Sequence, residues 1–408
     1  MEGNKKPGHT RRAASESRRQ RSDTTTKATS AGKTRHVKSS TDVRKRPAKT
    51  PAARRAQKEK SVRERSRKQR TRSTQGSTIR DDADAEKRHK RHKLDKRAGV
   101  IYREFVDEAV KKGLEAMQKE FAVLKDYVPA NFGTEAFNQN AVKNRYKDVL
   151  CIDETRVKLV VEGPDDTDYI HASYVKGAGR VNFICCQGPL DTTVLDFWRM
   201  IWQEQCPLIV MLCETVENNK AKCGEYWPRT KTQTMDFGCF RITNDEIERV
   251  ALTPGQQEHL TVTNLTLNHL RKQERRQLVH YQWPAWPDRG APDSGKAVFH
   301  LITRILEFSG RTVVVHCSAG IGRTGTLVSV FMCIERLLCH QPIDPPQIVK
   351  QLRDQRLHSI QTEPQYLFIY RALIDSWQEF MDCAVPTNDY MMKFIADYGK
   401  YKTITNAH

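Results

Sequence analysis

Hydrophobic and polar positions change rhythm twice along this chain. Through the first hundred residues large apolar positions are nearly absent. From about Gly99 the residues Ile101, Phe105, Val106, Val110, Leu114, Met117, Phe121 and Leu124 keep the three-to-four spacing of one helical face. The pattern runs to about Tyr127, and Val128-Pro129 ends it. The middle of the chain then switches to short apolar runs that read as strands: 156–162, 169–175, 183–187, 207–214, 259–267, 277–283 and TVVVHC at 312–317. Helical spacing marks 191–205, 295–309, 324–339, 345–356 and 363–382. Strands dominate the middle and helices the end. The predicted fold class is therefore α/β in the α+β sense, one highly twisted mixed β-sheet flanked by helices. No internal repeat is visible.

Charge separates the quiet first segment from the rest. Residues 1–100 hold 33 Lys+Arg against 11 Asp+Glu, so the whole +20 excess of the 408-residue chain sits there. Such a segment cannot bury enough apolar surface to offset chain entropy, and residues 1–98 are expected to be a disordered basic tail. Its denser clusters, Arg44-Lys45-Arg46 and Lys87 to Arg97, suit acidic partners, nucleic acid, an anionic membrane or nuclear import. They equally suit a solvated, self-repelling extension. No aromatic residues interleave them, which disfavours base stacking. Residues 99–385 are long enough for one large core, and 386–408 are left as a short C-terminal extension.

The 11 cysteines all follow the tail, and many interrupt apolar runs. No C-x-x-C pair or zinc-like Cys/His spacing occurs, so no metal and no cofactor are expected. The cysteines read as small buried hydrophobes of a reducing compartment. The N-terminus has no apolar signal region, and no run reaches the ~18 residues of a membrane span. A cytoplasmic or nuclear protein is expected.

The richest chemistry lies at 311–325, RTVVVHCSAGIGRTG. A buried strand delivers His316 and Cys317 to a tight turn whose far end opens a helix. Ser318, Ala319, Gly320, Ile321 and Gly322 can aim successive backbone N–H groups inward, and the helix N-terminus adds partial positive charge. A thiolate in that cradle is a nucleophile, and Arg323 returns a planar fork suited to phosphate. GIGRTG also matches the G-x-G-x-x-G of a dinucleotide turn. A second parallel strand ending in an acid should then follow, but CHQPIDPPQ places Pro345-Pro346 and another helix there.

The string HCSAGIGRTG resembles the signature loop of the protein tyrosine phosphatases, and the likeness extends from about 115 to 382. It implies the cysteine phosphatase fold and the non-receptor, phosphotyrosine-specific type. It also implies roles: Cys317 the nucleophile that becomes phosphocysteine, and Arg323 the ligand of the phosphoryl oxygens. Thr324 is implied to aid the thiolate and the breakdown of the intermediate, and His316 to tune the cysteine. WPDRGAP at 286–292 resembles the general-acid loop, with Trp286 at its hinge and Asp288 the acid, 29 residues before Cys317. QTEPQY at 361–366 resembles the glutamine loop, making Gln361 the water-positioning residue and Gln365 its helper. Arg353 and Arg356 precede it at the family spacing and are expected to support the phosphate loop. KNRYKDVL at 143–150 resembles the phosphotyrosine-recognition loop, where Tyr146 stacks on the substrate ring and Asp148 anchors the peptide backbone. ENNKAKCGEYWP at 217–228 implies that Glu217 holds Arg323 and that Lys222 contacts Asp288 or substrate. QGPL at 187–190 matches as scaffold.

Three departures stand out. Arg289 follows the acid where the family usually has an aromatic or His, His171 stands where it nearly always has Asn, and Cys151 replaces a usual proline. His171 either loosens a scaffold hydrogen bond or adds a pH-dependent contact. The expected function is hydrolysis of phosphotyrosine in proteins through a phosphocysteine. The alternative is a catalytically impaired phosphotyrosine-binding module of the same fold. A dual-specificity or phosphoinositide phosphatase is disfavoured by Tyr146 and by the absence of Lys in the loop. A nucleic-acid binder with a passenger domain is disfavoured by the full catalytic set.

Overall fold

The computed structural model describes residues 95–406 apart from 165, 178, 253–257 and 376–388. The chain divides into two units, and every described residue belongs to the second, Ala85–His408. The tail up to 94, and Cys383, lie outside the described residues.

Helix α1 (Lys96–Leu124) starts on Asp95, whose carboxylate accepts from the Ala98 N–H. It begins ahead of Gly99 because a polar cap and a charged first turn carry no apolar signal. Gly113, at φ 69°, breaks it into two segments. After α2 (Glu135–Gln139) come β1 (Arg156–Lys158), β2 (Tyr169–Lys176) and β3 (Asn182–Cys186). Helix α3 (Val194–Gln203) leads to β4 (Leu208–Met211) and a small hairpin, β5 (Val216–Glu217) with β6 (Lys220–Ala221). Four strands follow: β7 (Thr234–Phe237), β8 (Phe240–Ala251), β9 (His259–His269) and β10 (Glu274–Gln282). The chain closes through α4 (Lys296–Leu306), β11 (Thr312–His316), α5 (Gly322–Leu338), α6 (Pro345–Arg353), α7 (Glu363–Asp375) and α8 (Asp389–Asn406).

The nine-stranded sheet has the order β1-β2-β3-β11-β4-β10-β9-β8-β7. Strand β11 runs parallel to β3 and β4, and β4 parallel to β10; the outer pairs are antiparallel. A parallel centre must be covered on both faces, which is why Val313, Val314 and Val315 are all fully buried. The turn after β11 therefore opens at the carboxyl ends of the parallel strands, where open α/β sheets hold ligands. Helix α5 is buried along almost its whole length and fixes that turn from below.

Three differences from the sequence pattern have local causes. Strands β7 and β8 went unpredicted: they form an edge hairpin, and the outer half of β8, DEIERV, is exposed and charged. Only three residues of 156–162 are strand. Beyond them Val160 donates to Gln203 and its carbonyl accepts from Arg199, so side chains replace the ladder. Residues 389–406, read as part of an extension, form a helix that buries Met391, Phe394 and Tyr398 in the common core. Among the described residues no helix is long and apolar enough to cross a membrane.

Candidate active site

Strand β11 pairs His316 with Cys186 and Met211, and so fixes Cys317 at the sheet's upper edge. Cys317 is 4% exposed, at the floor of a cavity of about 550 Å³. Its Sγ accepts from the Gly320 N–H at 3.2 Å. Gly320 has φ +71°, and a Cβ there would lie 2.0 Å from the Cys186 carbonyl oxygen. The loop can curl this closely only with glycine at that position. Gly320→Ala is expected to lower kcat/KM at least ~100-fold by displacing the loop. Gly399→Ala, on α8 with nothing within 4 Å of the added carbon, is the matched control in the same steady-state assay.

Arg323, at the start of α5, turns back over Cys317 and is 3% exposed. Glu217 receives its fork at 2.5 and 2.6 Å, and the Leu212 carbonyl takes a third bond at 2.9 Å. Burial alone would lower the guanidinium, but the Glu217 carboxylate outweighs it and holds Arg323 above its ordinary value. The planar fork is thus oriented before any ligand arrives.

Asp288 comes from a separate loop. Pro287 and Gly290 close its turn (3.2 Å), and Trp286, wedged against Trp283 and Phe368, donates to the Gly290 carbonyl at 3.1 Å. The Arg289 carbonyl accepts from Thr362 Oγ1 at 2.8 Å, so the loop rests on the glutamine segment. Asp288 lies 2.6 Å from Lys222 and 3.0 Å from Arg323. Burial raises its carboxyl, but the Lys222 hydrogen bond and the Arg323 charge outweigh that and hold it below 3.8. Arg289 adopts φ 58°, with its side chain exposed at the cavity rim.

Opposite this loop, Tyr146 Oη donates to Ser318 Oγ at 2.8 Å, and Ser318 donates to the Lys222 carbonyl at 3.0 Å. Asp148, Ala319, Gly322, Gln361 and Gln365 also line the cavity. Gln365 packs against Gly322 and accepts from the Gln361 N–H at 3.0 Å. Ile321 is buried; its carbonyl accepts from the Ile360 N–H at 2.9 Å, joining the phosphate loop to the glutamine segment. Gly320 and Ile321 shape the loop from behind.

Arg353 and Arg356, expected to act alike, turn to different partners. Arg356 donates to the Gly320 and Ala319 carbonyls at 3.1 Å each. Arg353 does not touch the loop. It binds the carbonyls of Ser359 and Ile360 ahead of Gln361, and those of Leu124 and Lys125 at the end of α1. Its reach is set by α6, which points it down toward α1. Thr324 Oγ1 is buried with no hydrogen-bond partner among the described residues, so this state shows no contact from it to Sγ. His171 accepts from Arg356 at Nδ1 (3.1 Å) and donates from Nε2 to the Val149 carbonyl (2.8 Å). It ties the phosphate loop to the recognition loop. Burial holds it down to about 3, so it stays neutral and adds no contact that titrates near neutral pH. Cys151 points its thiol at the Ala172 carbonyl, 3.7 Å away.

Sequence reasoning also missed three residues. Arg145 donates to the carbonyls of Gly188 and Pro189, Gln187 accepts from the Arg145 N–H, and Tyr226 lies 2.7 Å from His316. All sit inside strings already singled out, but nothing in those strings says which way they point. Gly188, from QGPL, donates to the Ser318 carbonyl at 2.9 Å. Among the described residues no group of three or more His, Cys, Asp and Glu could hold a metal.

The arrangement combines a buried thiol, a preset guanidinium, a carboxyl on an overlying loop and an aromatic wall. It suits displacement at a phosphorus whose leaving group is an aryl oxygen.

Comparison with known proteins points the same way. The sequence model of the family described as "Protein-tyrosine phosphatase" matches residues 140–375. Tyrosine-protein phosphatase 69D of Drosophila melanogaster is 37% identical over 298 residues, 68% of this chain and 20% of that protein. Tyrosine-protein phosphatase non-receptor type 9 of Homo sapiens is 37% identical over 254 residues, 58% of this chain and 42% of that protein. A solved structure described as "Structural basis of PTPN18 fingerprint on distinct HER2 tyrosine phosphorylation sites" is 32% identical with a TM-score of 0.57, covering 67% of this chain and 98% of that one. The chain thus spans between 20% and 42% of the length of these curated relatives.

Proposed function

Because this chain belongs to the protein-tyrosine phosphatase family, we propose that it hydrolyses phosphotyrosine in proteins through a phosphocysteine at Cys317. The observation that carries this reading is the meeting of Asp288 with Arg323 at 3.0 Å over the cavity whose floor is Cys317.

In the first step the Cys317 thiolate attacks phosphorus while the equatorial oxygens take the Arg323 fork and the loop N–H groups. The P–O bond to the tyrosine breaks, its electron pair stays on the phenolic oxygen, and Asp288 supplies a proton there. In the second step a water oriented by Gln361 attacks phosphorus and returns a proton to Asp288. The P–S bond breaks and the thiolate is restored. Lys222 and Glu217 act by placing Asp288 and Arg323, and Trp286 by anchoring the acid loop. Arg356 and Arg353 brace the phosphate loop and the glutamine segment respectively.

Depth sets the choice of substrate. With Tyr146 as one wall, a phosphorus must stand an aryl ring's length below the rim to reach Cys317, and phosphoserine is too short. The full-length chain should hydrolyse a phosphotyrosine peptide at least ~100-fold faster than the matching phosphoserine peptide. Equal rates would reject the reading. Tyr146→Ala should raise KM for the phosphotyrosine peptide about tenfold, with a smaller change in kcat.

The working unit is proposed as residues 95–406, from the Asp95 cap of α1 to the end of α8, whose Met391, Phe394 and Tyr398 lie in the common core. For residues 1–94 the charge of 33 Lys+Arg against 11 Asp+Glu in the first hundred supports contact with an acidic partner, within the cytoplasm or nucleus. Deleting 1–94 and following location tests this; an unchanged distribution would count against it.

A further inference from the structure

Behind the nucleophile lie three buried polar groups that this chemistry does not use directly: His316, Tyr226 and His280. They form one chain. Tyr226 Oη is 2.7 Å from His316 Nε2 and 2.7 Å from His280 Nε2, and His316 Nδ1 is 3.1 Å from the Cys317 carbonyl oxygen.

The positions of the hydrogens follow by elimination. A carbonyl only accepts, so the Nδ1 that faces it carries a hydrogen. Burial holds His316 down to about 4, so near neutral pH its Nε2 is a bare lone pair. That lone pair must take the hydroxyl hydrogen of Tyr226. Burial pushes Tyr226 well above its ordinary value, so it keeps this one hydrogen, and its oxygen can only accept from His280. His280, pushed well below its ordinary value by burial, therefore carries its hydrogen on Nε2. Its Nδ1 has no partner among the described residues, as suits a bare lone pair. The ring is held in plane by Trp227 (centroids 4.3 Å, interplanar 30°) and by β10, which sits between β4 and β9.

We propose that His280 is a positioning residue for Cys317. By donating to the Tyr226 oxygen it holds the Tyr226 hydroxyl on His316 Nε2 and so strengthens the bond that His316 Nδ1 donates to the Cys317 carbonyl. The inference rests on Cys317 being the nucleophile. Without a donor at 280 the Tyr226 hydroxyl loses the bond that polarises it, while the Cys317 carbonyl still keeps the hydrogen on His316 Nδ1. The hydroxyl is then free to turn toward Met211 Sδ, already 3.7 Å away, and to leave Nε2 without its donor. The bond that Nδ1 donates to the Cys317 carbonyl weakens with it. A carbonyl with a weaker donor presents more negative potential to the adjacent Sγ and disfavours negative charge there. The charged groups of the cavity, Arg323, Glu217, Asp288 and Lys222, sit on other elements and keep their contacts in a 280 variant, as does Arg356 behind the loop. Arg229 is the cation that faces His280 itself, and the neighbouring thiols Cys186, Cys213 and Cys223 are pushed up by burial and stay neutral.

The test uses the full-length chain with ¹⁵N-labelled histidine. Long-range ¹H–¹⁵N spectra read which nitrogen of His316 bears hydrogen, and mass spectrometry follows iodoacetamide alkylation of the Cys317 peptide at neutral pH. Wild type should show the hydrogen on Nδ1. His280→Leu should leave it on Nδ1, move that proton's resonance upfield and slow alkylation about threefold. His280→Gln, whose amide N–H reaches the same oxygen, should restore both. A wild-type hydrogen on Nε2, an unchanged His316 resonance in folded His280→Leu, or His280→Gln as impaired as the leucine variant would each overturn the proposal. If His280→Leu does not fold, the wild-type tautomer and His280→Gln still decide it. Phosphotyrosine turnover by wild type is scored separately: its absence would reject the phosphatase reading, whereas the His316 result bears on His280.

Discussion

Cys317→Ser will lower phosphotyrosine turnover by roughly 10⁴–10⁶-fold and leave substrate binding nearly intact. The exchange removes one polarizable atom from a site otherwise held by partners it does not touch. Arg323 keeps Glu217 and the Leu212 carbonyl, Ser318 keeps the Lys222 carbonyl, and Arg356 keeps Gly320 and Ala319. The anion cradle therefore persists. A serine hydroxyl gives up its proton far less readily than a thiol, and the cavity carboxylates Glu217 and Asp288 are already held by Arg323 and Lys222. The Gly320 N–H that stabilises Sγ at 3.2 Å cannot close that gap. Single-turnover hydrolysis of a phosphotyrosine peptide, beside calorimetric binding of the same peptide, separates the two effects. Binding within a few-fold of wild type with turnover at background fits a covalent mechanism. Turnover near the wild-type rate would mean that Cys317 forms no bond to phosphorus, and the phosphocysteine mechanism would fall.

The part of this site that could be read from the sequence is the part that is contiguous. From His316 to Arg323 one loop supplies the thiol, the amides and the guanidinium, so spacing along the chain is nearly spacing in space. Asp288, Gln361 and Tyr146 were singled out only because their own strings resemble a family; that they line one cavity with Cys317 depends on the loop after β10, the turn before α7 and the segment before β1. Directions were not legible at all. Arg353 and Arg356 share one short stretch, yet one turns to α1 and the other to the phosphate loop. His171 looked like a loosened contact or a pH sensor, and only its burial between Arg356 and Val149 shows it to be a neutral bridge. Tyr226 lies 90 residues from His316, and no periodicity along a chain reports a hydrogen bond made across a sheet. The β7–β8 hairpin escaped for a different reason: an exposed edge needs no apolar run to form, because its backbone pairing carries it.

Asp288→Ala should lower kcat about 10²–10⁴-fold on a phosphotyrosine peptide, and much less on an aryl phosphate whose leaving oxygen departs without a proton. The structure adds a condition to this role. With the loop over the cavity, Asp288 is paired to Lys222 and Arg323 and its carboxyl is held below 3.8, so in this state it is a carboxylate near neutral pH. An acid needs its proton. A bound phosphate dianion supplies the remedy, since it engages Arg323 and cancels part of the charge that keeps Asp288 ionised. The sign of the pH dependence follows. For kcat/KM, which reports the free enzyme, the protonated acid is lost as pH rises through the depressed Asp288 value, so this group contributes an alkaline limb. Lys222→Met removes one of the two depressing contacts and should move that limb to higher pH. Asp288→Ala should abolish the limb, leaving kcat/KM low and flat on that side. Steady-state profiles of wild type and the two variants on one peptide decide the matter. A limb that survives in Asp288→Ala belongs to another group, and a limb that stays in place in Lys222→Met would mean that Lys222 does not act on the acid.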